Sequence, residues 1–468
     1  VSPSPLSAEP LKHSINTRQL TMIGIGGVIG AGLFVGSGKA IASCGPAIVL
    51  VYLLTGLVII TVMRMLAELA TACPETGSFS TYASRELGSW AGLAVGWIYA
   101  YHWCVTVAFE AIAGAAIANL LVPAVPTWLY ALSFMTALTV VNLRAVSSFA
   151  RFEFWFALVK VTAIVLFIGV GVAAICGLLP HFDAPGLSNL FDHGGLLPMG
   201  VGPLLLATLT VFFSYFGTEL VTIAAGESSD PVNAVRTSMR SVAWRILIFY
   251  VGSIAIVVTL LPWNRTEITE SPYTAVLDRI GIPGAHVIMN LVVLTAVLSC
   301  LNSGIYSSSR MMYSLGSRGE GPRALATTGP TGVPAAAVLT ASSVGFLAVG
   351  ANYFLPTGAV FTFLLSSSGA IAVVVYLAIC GTQILGRRHR SAAELAALPV
   401  RMWGFPYLSY LVAATLLVIV AGMAFTAATR TPLALTAIVT AVAVTAGVWH
   451  QRRTATGPTR KPAPSETL

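Results

Sequence analysis

Apolar runs long enough to cross a bilayer recur along the whole chain. Twelve segments, roughly 20–44, 46–70, 90–121, 125–143, 154–179, 199–225, 240–262, 284–308, 333–351, 356–385, 403–427 and 431–450, each come near the ~20 residues that a spanning helix needs. Composition agrees. AVILMFWYC make up 56% of the 468 residues and DEKR only 9%, against about 25% charged residues in a soluble domain. These values exclude an ordinary soluble enzyme and a disordered chain. A membrane barrel would read as alternating segments of about 10 residues. The expectation is therefore an all-α polytopic membrane protein with 12 transmembrane helices.

Charge placement predicts the topology. The net charge is +8, but no basic stripe is interleaved with exposed aromatics, so nucleic acid is not expected as a partner. Of the 25 Lys and Arg residues, 20 fall on one side of a twelve-span arrangement, four on the other, and Lys160 within a span. By the positive-inside rule, both termini are then cytoplasmic. Residues 1–19 read as a cytoplasmic segment without the apolar core of a cleavable signal, and 451–468 as a polar, disordered tail. The gaps near 180–198 and 263–283 read as loops, and Thr431-Pro432 as the start of the last span. The six cysteines show no C-x-x-C spacing and the histidines no H-x-x-x-H pair, which argues against a disulfide framework or a metal site.

Charged groups inside spans are expensive and mark functional positions. Glu110, Lys160 and Glu219 stand within predicted spans, whereas Glu68, Glu153 and Glu227 lie near predicted ends, within reach of water. The bland alternatives are snorkelling for Lys160 and a structural hydrogen bond for each glutamate.

The first segment holds six glycines between Gly24 and Gly36. Each disfavours an uninterrupted helix by roughly 1 kcal/mol relative to Ala. Gly26/Gly30 and Gly32/Gly36 also fit close helix packing. A phosphate loop is excluded, because no strand precedes the run. The remaining reading is a helix that unwinds in mid-membrane, offering amides to a carboxylate and carbonyls to an ammonium. Segment six has a weaker counterpart, Phe216-Gly217-Thr218-Glu219. Segments one and six are equivalent if spans 1–5 and 6–10 are repeats, and repeats of odd span number are inverted in the membrane.

The run Thr21 to Gly38, MRMLAELA from Met63, TGSFSTYA from Thr76, FEFW from Phe152 and CLNSGIYSSSRMMYSL from Cys300 closely resemble bacterial amino acid permeases of the amino acid–polyamine–cation superfamily, above all those for 4-aminobutyrate (GABA). The resemblance covers about residues 15–450 and says more of the family than of the substrate. It implies a LeuT-type 5+5 inverted repeat plus two helices, with repeats at 20–180 and 198–386 and the extra helices in 403–450. It also implies proton-coupled uptake across the bacterial cytoplasmic membrane, with the proton as coupling ion and no cofactor.

The same resemblance assigns residues. The amides of Ala31 and Gly32 face the substrate carboxylate, and the carbonyl of Val28 faces its amine. The carbonyls of Phe213 and Phe216 also face the amine, and the Phe213 ring caps the substrate. Lys160 matches a lysine that takes the place of a sodium ion in some relatives, and Glu219 a glutamate assigned to proton sensing. Ala31 departs from relatives that carry a hydroxyl there. Glu110 is a candidate partner for the distant ammonium of an ω-amino acid. A permease for an α-amino acid such as proline and a sensor that binds without transporting stay open. An enzyme is not expected, because no nucleophile–base pair or cofactor motif is present. The sequence is silent on oligomeric state.

Overall fold

A computed structural model describes residues 15–144, 146–180, 182–354 and 357–455. Lys12, Arg460 and Lys461, with the rest of segments 1–14 and 456–468, lie outside the described residues; the first residues of the expected disordered tail, 451–455, are helical instead, continuing the last span.

Helices account for the fold, and the described residues hold no β-structure beyond one isolated bridge between Ile15 and Ser228. The long elements are α1 (Thr17–Gly26), α2 (Ser37–Cys44), α3 (Ile48–Ala72), α4 (Ser89–Leu121), α5 (Thr127–Arg144), α6 (Val146–Ile175), α7 (Leu204–Tyr215), α8 (Leu220–Ala224), α9 (Pro231–Arg245), α10 (Ser253–Leu260), α11 (Ala285–Ser317), α12 (Ala335–Phe354), α13 (Thr357–His389), α14 (Tyr407–Phe425) and α15 (Ala427–Ala455).

Among the described residues, ten helical stretches are long and apolar enough to cross a membrane. Two of the twelve expected segments do not count separately. The first is broken, and its second half runs through a short turn at Gly45–Ala47 into α3. The other, α5, has 18 residues and carries Trp128, Tyr130, Asn142 and Arg144, which dilute its apolar content.

The core sits on α4 and α11, which pack on each other and on most of the remaining long helices. Their small and apolar side chains are buried around the helix, as a helix in the centre of a bundle requires. At the edge, α14 and α15 expose Leu411, Leu417, Val418, Ile438 and Val442. Apolar side chains on the outside are what a lipid solvent demands.

Three expectations need correction. The 263–283 gap holds two short helices, Thr266–Glu270 and Pro272–Ile280; the second begins on Pro272 and ends on a left-handed Gly281, ordinary start and stop signals. The 180–198 gap holds one helical turn, Ser188–Phe191. The last helix starts at Ala427 and contains Pro432, rather than starting there. Side chains stabilise this entry: Thr429 Oγ1 donates to Met423 O at 2.9 Å and Arg430 Nε to Ala424 O at 3.2 Å.

Candidate substrate site

The glycine run does break its helix. An Asn16–Gln19 capping box starts α1, which ends at Gly26; residues 27–30 are non-helical, and helix resumes through a π-type turn at Gly32–Gly36. The sixth apolar segment breaks as well, between α7 and α8. α7 stops at Tyr215, Phe216 turns extended, and Gly217 takes a φ of 109°, which only glycine adopts freely. The two breaks touch: a Cβ on Gly217 would stand 2.5 Å from the Gly27 carbonyl oxygen.

Unwinding frees backbone groups that lipid cannot satisfy, so each needs a partner from elsewhere. Lys160 Nζ, on α6, donates to Gly26 O at 2.5 Å and Ile29 O at 2.7 Å. Cys300 Sγ on α11 lies 3.6 Å from Gly27 O. Tyr250 Oη lies 3.1 Å from Val28 O and 3.0 Å from Ser214 O. Ser214 Oγ donates to Gly32 O at 2.9 Å. On the donor side, the Ala31 amide stands 3.2 Å from both carboxylate oxygens of Glu110. The break between α7 and α8 repeats the device. The Gly217 amide lies 3.1 and 3.0 Å from the two oxygens of Glu219, with the Tyr376 hydroxyl 3.5 Å away. Each break is thus capped by a buried carboxylate.

Val28, Gly32, Phe213, Phe216 and Glu110 line one small cavity of about 10 Å³ together with His102, Trp103, Thr106, Ser214 and Cys300, room for roughly one water. The His102 ring lies on Phe216 with centroids 3.9 Å apart, and its Nδ1 is 3.2 Å from Ser368 O. Ala31 meets the cavity through Glu110. Lys160 and Glu219 do not line it; they hold the two breaks from behind. Glu110 stands on the very amide that the resemblance assigns to the substrate carboxylate, not at the opposite end.

The three glutamates expected to reach water do not. Glu68, Glu153 and Glu227 are fully buried. Glu68 accepts from Gln383 Nε2 at 2.9 Å, the Met402 amide at 2.6 Å and Arg387 at 3.1 Å. Glu153 accepts from Ser299 Oγ and Asn302 Nδ2. Glu227 pairs with Arg310 at 2.7 Å and accepts from Tyr306 Oη at 2.9 Å. Each lies near a span end, but a distant segment folds over it and supplies the donors that replace water.

Sequence reasoning missed His102, Trp103, Thr106, Ser214, Tyr250 and Cys300 as parts of the site. A signal existed for two of them. His102 and Thr106 precede Glu110 at intervals of four, which places all three on one face of α4.

Two broken helices meeting back to back, with backbone groups bridged by side chains from α4, α6 and α11, define a solute transporter rather than an enzyme. The chain belongs to the amino acid permease family, whose model matches residues 19–455. It is 47% identical to the gamma-aminobutyric acid permease of Bacillus subtilis over 96% of this chain and 95% of that one. It is 46% identical to the gamma-aminobutyric acid permease of Escherichia coli over 87% of each. An aromatic amino acid transport protein of Corynebacterium glutamicum is 38% identical over 92% of this chain and 94% of its own length. The fold matches Mhp1, a nucleobase-cation-symport-1 family transporter, with a TM-score of 0.56 at 17% identity over 96% of both chains.

Proposed function

We propose that this chain is a proton-coupled symporter that takes up GABA or a related amino acid across the bacterial cytoplasmic membrane. In this reading it has twelve spans, a five-plus-five inverted repeat at 20–180 and 198–386 with two further helices, and both termini in the cytoplasm. The contact between the breaks at Gly27 and Gly217, beside the cavity of Val28, Gly32 and Phe213, carries the reading. Identity of 46–47% to the two GABA permeases supports the substrate.

The chemistry suits a zwitterion. The Ala31 and Gly32 amides offer donors to a carboxylate, while the Val28, Phe213 and Phe216 carbonyls offer acceptors to an ammonium. Phe213 and Phe216 supply an apolar wall for the methylenes between the charges. Lys160 places a cation on the Gly26 and Ile29 carbonyls, where a bound sodium ion would otherwise neutralise them, and Glu219 fixes the second break.

The test is uptake of labelled GABA into proteoliposomes with an alkaline interior, competed by unlabelled GABA, proline and phenylalanine. Accumulation abolished by excess GABA but not by proline is expected. Stronger competition by proline makes the α-amino acid permease the better account. Binding without counterflow makes the chain a sensor.

A further inference from the structure

We infer that Glu110 is the group through which substrate binding is linked to proton movement: its carboxylate and the substrate's compete for the Ala31 amide, and Glu110 leaves that amide as the neutral acid. The inference rests on the reading above in one respect, that the substrate presents a carboxylate to the break in helix one.

The amide of Ala31 has one proton to donate, and both oxygens of Glu110 already stand 3.2 Å from it. A second carboxylate cannot take that donor while the first holds it. The seat is built for Glu110. A Cβ on Gly30 would stand 2.6 Å from Glu110 Oε1 and 2.8 Å from Cys300 Cβ, so any residue but glycine would push the carboxylate off the break. With Glu110 seated, the cavity has no room for an amino acid. For the substrate carboxylate to take the Ala31 amide, Glu110 must come off it.

Charge decides how it moves. Cys300 on α11 packs against Glu110, and Lys160 on α6, which also faces Glu153, lies within its field. His102 on its own helix is two turns away, and Glu219 is engaged by Gly217. Lys160 stays on the Gly26 and Ile29 carbonyls and gives Glu110 no direct partner. Two anionic carboxylates in one small, buried cavity repel strongly. One proton on Glu110 removes the repulsion. An O–H bond forms on Glu110 as one breaks in a hydronium ion on the side where substrate enters, leaving water, and its hydrogen bond from Ala31 is given up. When the substrate leaves, that O–H bond breaks, the proton goes to water on the exit side, and the anion returns to Ala31.

The closing experiment has two arms. Purified wild-type protein in weakly buffered solution is titrated with GABA while pH and the infrared difference spectrum are recorded. Expected are close to one proton taken up per GABA bound and a new protonated-carboxyl band. Binding without proton uptake, or without that band, overturns the proposal, and this arm needs no variant. In proteoliposomes, Glu110→Gln should lower pH-driven accumulation about tenfold more than GABA exchange, and its GABA affinity should no longer vary with pH. A purely structural hydrogen bond, which Gln also makes, would leave the pH dependence of affinity intact, and that result overturns the coupling role. If the wild type moves no amino acid at all, the transport reading itself fails; GABA uptake without a proton at Glu110 refutes only this inference.

Discussion

Both carboxylate oxygens of Glu110 stand 3.2 Å from the amide nitrogen of Ala31, across 79 positions of sequence. The contact joins α4, in the centre of the bundle, to the break in the first helix, so the site's backbone is held by a side chain that can itself change charge. Glu219 makes the equivalent contact with Gly217 two positions away. One cap is local and the other depends on tertiary packing.

Gly32→Val should insert normally and abolish uptake. A Cβ at Gly32 would stand 3.0 Å from Ser214 Cα and 3.2 Å from the Phe213 ring, and a β-branched side chain adds two more carbons there. Overpacking of this kind costs about 1–3 kcal/mol and separates the two breaks. The check is labelled uptake normalised to the protein found in the membrane. Near-normal apparent affinity would remove Gly32 from the site.

Lys160→Met should lose accumulation and lower stability, because Glu153 on the same helix, bonded by Ser299 and Asn302, loses the cation whose field reaches it. Adding Glu153→Gln should recover most of the thermal stability without recovering accumulation, since the Gly26 and Ile29 carbonyls still lack their cation. Melting in detergent and uptake are read side by side. Recovery of both would reduce Lys160 to a structural partner of Glu153.

Arg310→Ala should destabilise the protein by about 3–5 kcal/mol through the unpaired Glu227 it leaves behind. Arg310 Nε lies 2.7 Å from Glu227 Oε1, and both side chains are buried. Replacing both residues by apolar ones of similar volume should cost much less than Arg310→Ala alone. A full loss of stability in the double variant would show that the Tyr306 contact, not the ion pair, is what matters.

Gly217→Ala should lower the melting temperature and transport together. Its φ of 109° is strained for any side chain by about 1–3 kcal/mol, and the new Cβ would meet the Gly27 carbonyl at 2.5 Å. Gly381→Ala is the control. It lies within α13, and an added Cβ would meet nothing within 4 Å beyond the helix's own backbone, so its effect should be nil or stabilising by up to about 1 kcal/mol. Equal melting shifts in the two variants would exclude a special role for the break.

The all-helical, many-span character could be read from the sequence, because it depends on local terms. A run of about 20 apolar residues satisfies the bilayer wherever the rest of the chain goes. Six glycines between Gly24 and Gly36 weaken a helix by their own propensity. The break at Gly217 was legible only weakly, as a lone glycine beside Glu219, because the strain there comes from the approach of Gly27.

What each polar group does was decided by the tertiary structure. Glu68, Glu153 and Glu227 read as end-of-helix residues, yet their partners come from 334, 149 and 83 positions away and exclude water from all three. Val28 O was legible as a freed carbonyl, but not that Tyr250, 222 positions on, would take it. Glu110 was legible as an expensive buried acid, but not that it would face the Ala31 amide, where it caps the break, rather than the far end of the cavity. The physical reason is common to all of them. Burial sets the requirement that a polar group be paired, and residue type announces that requirement; which donor meets it is set by helices that approach only when the chain folds.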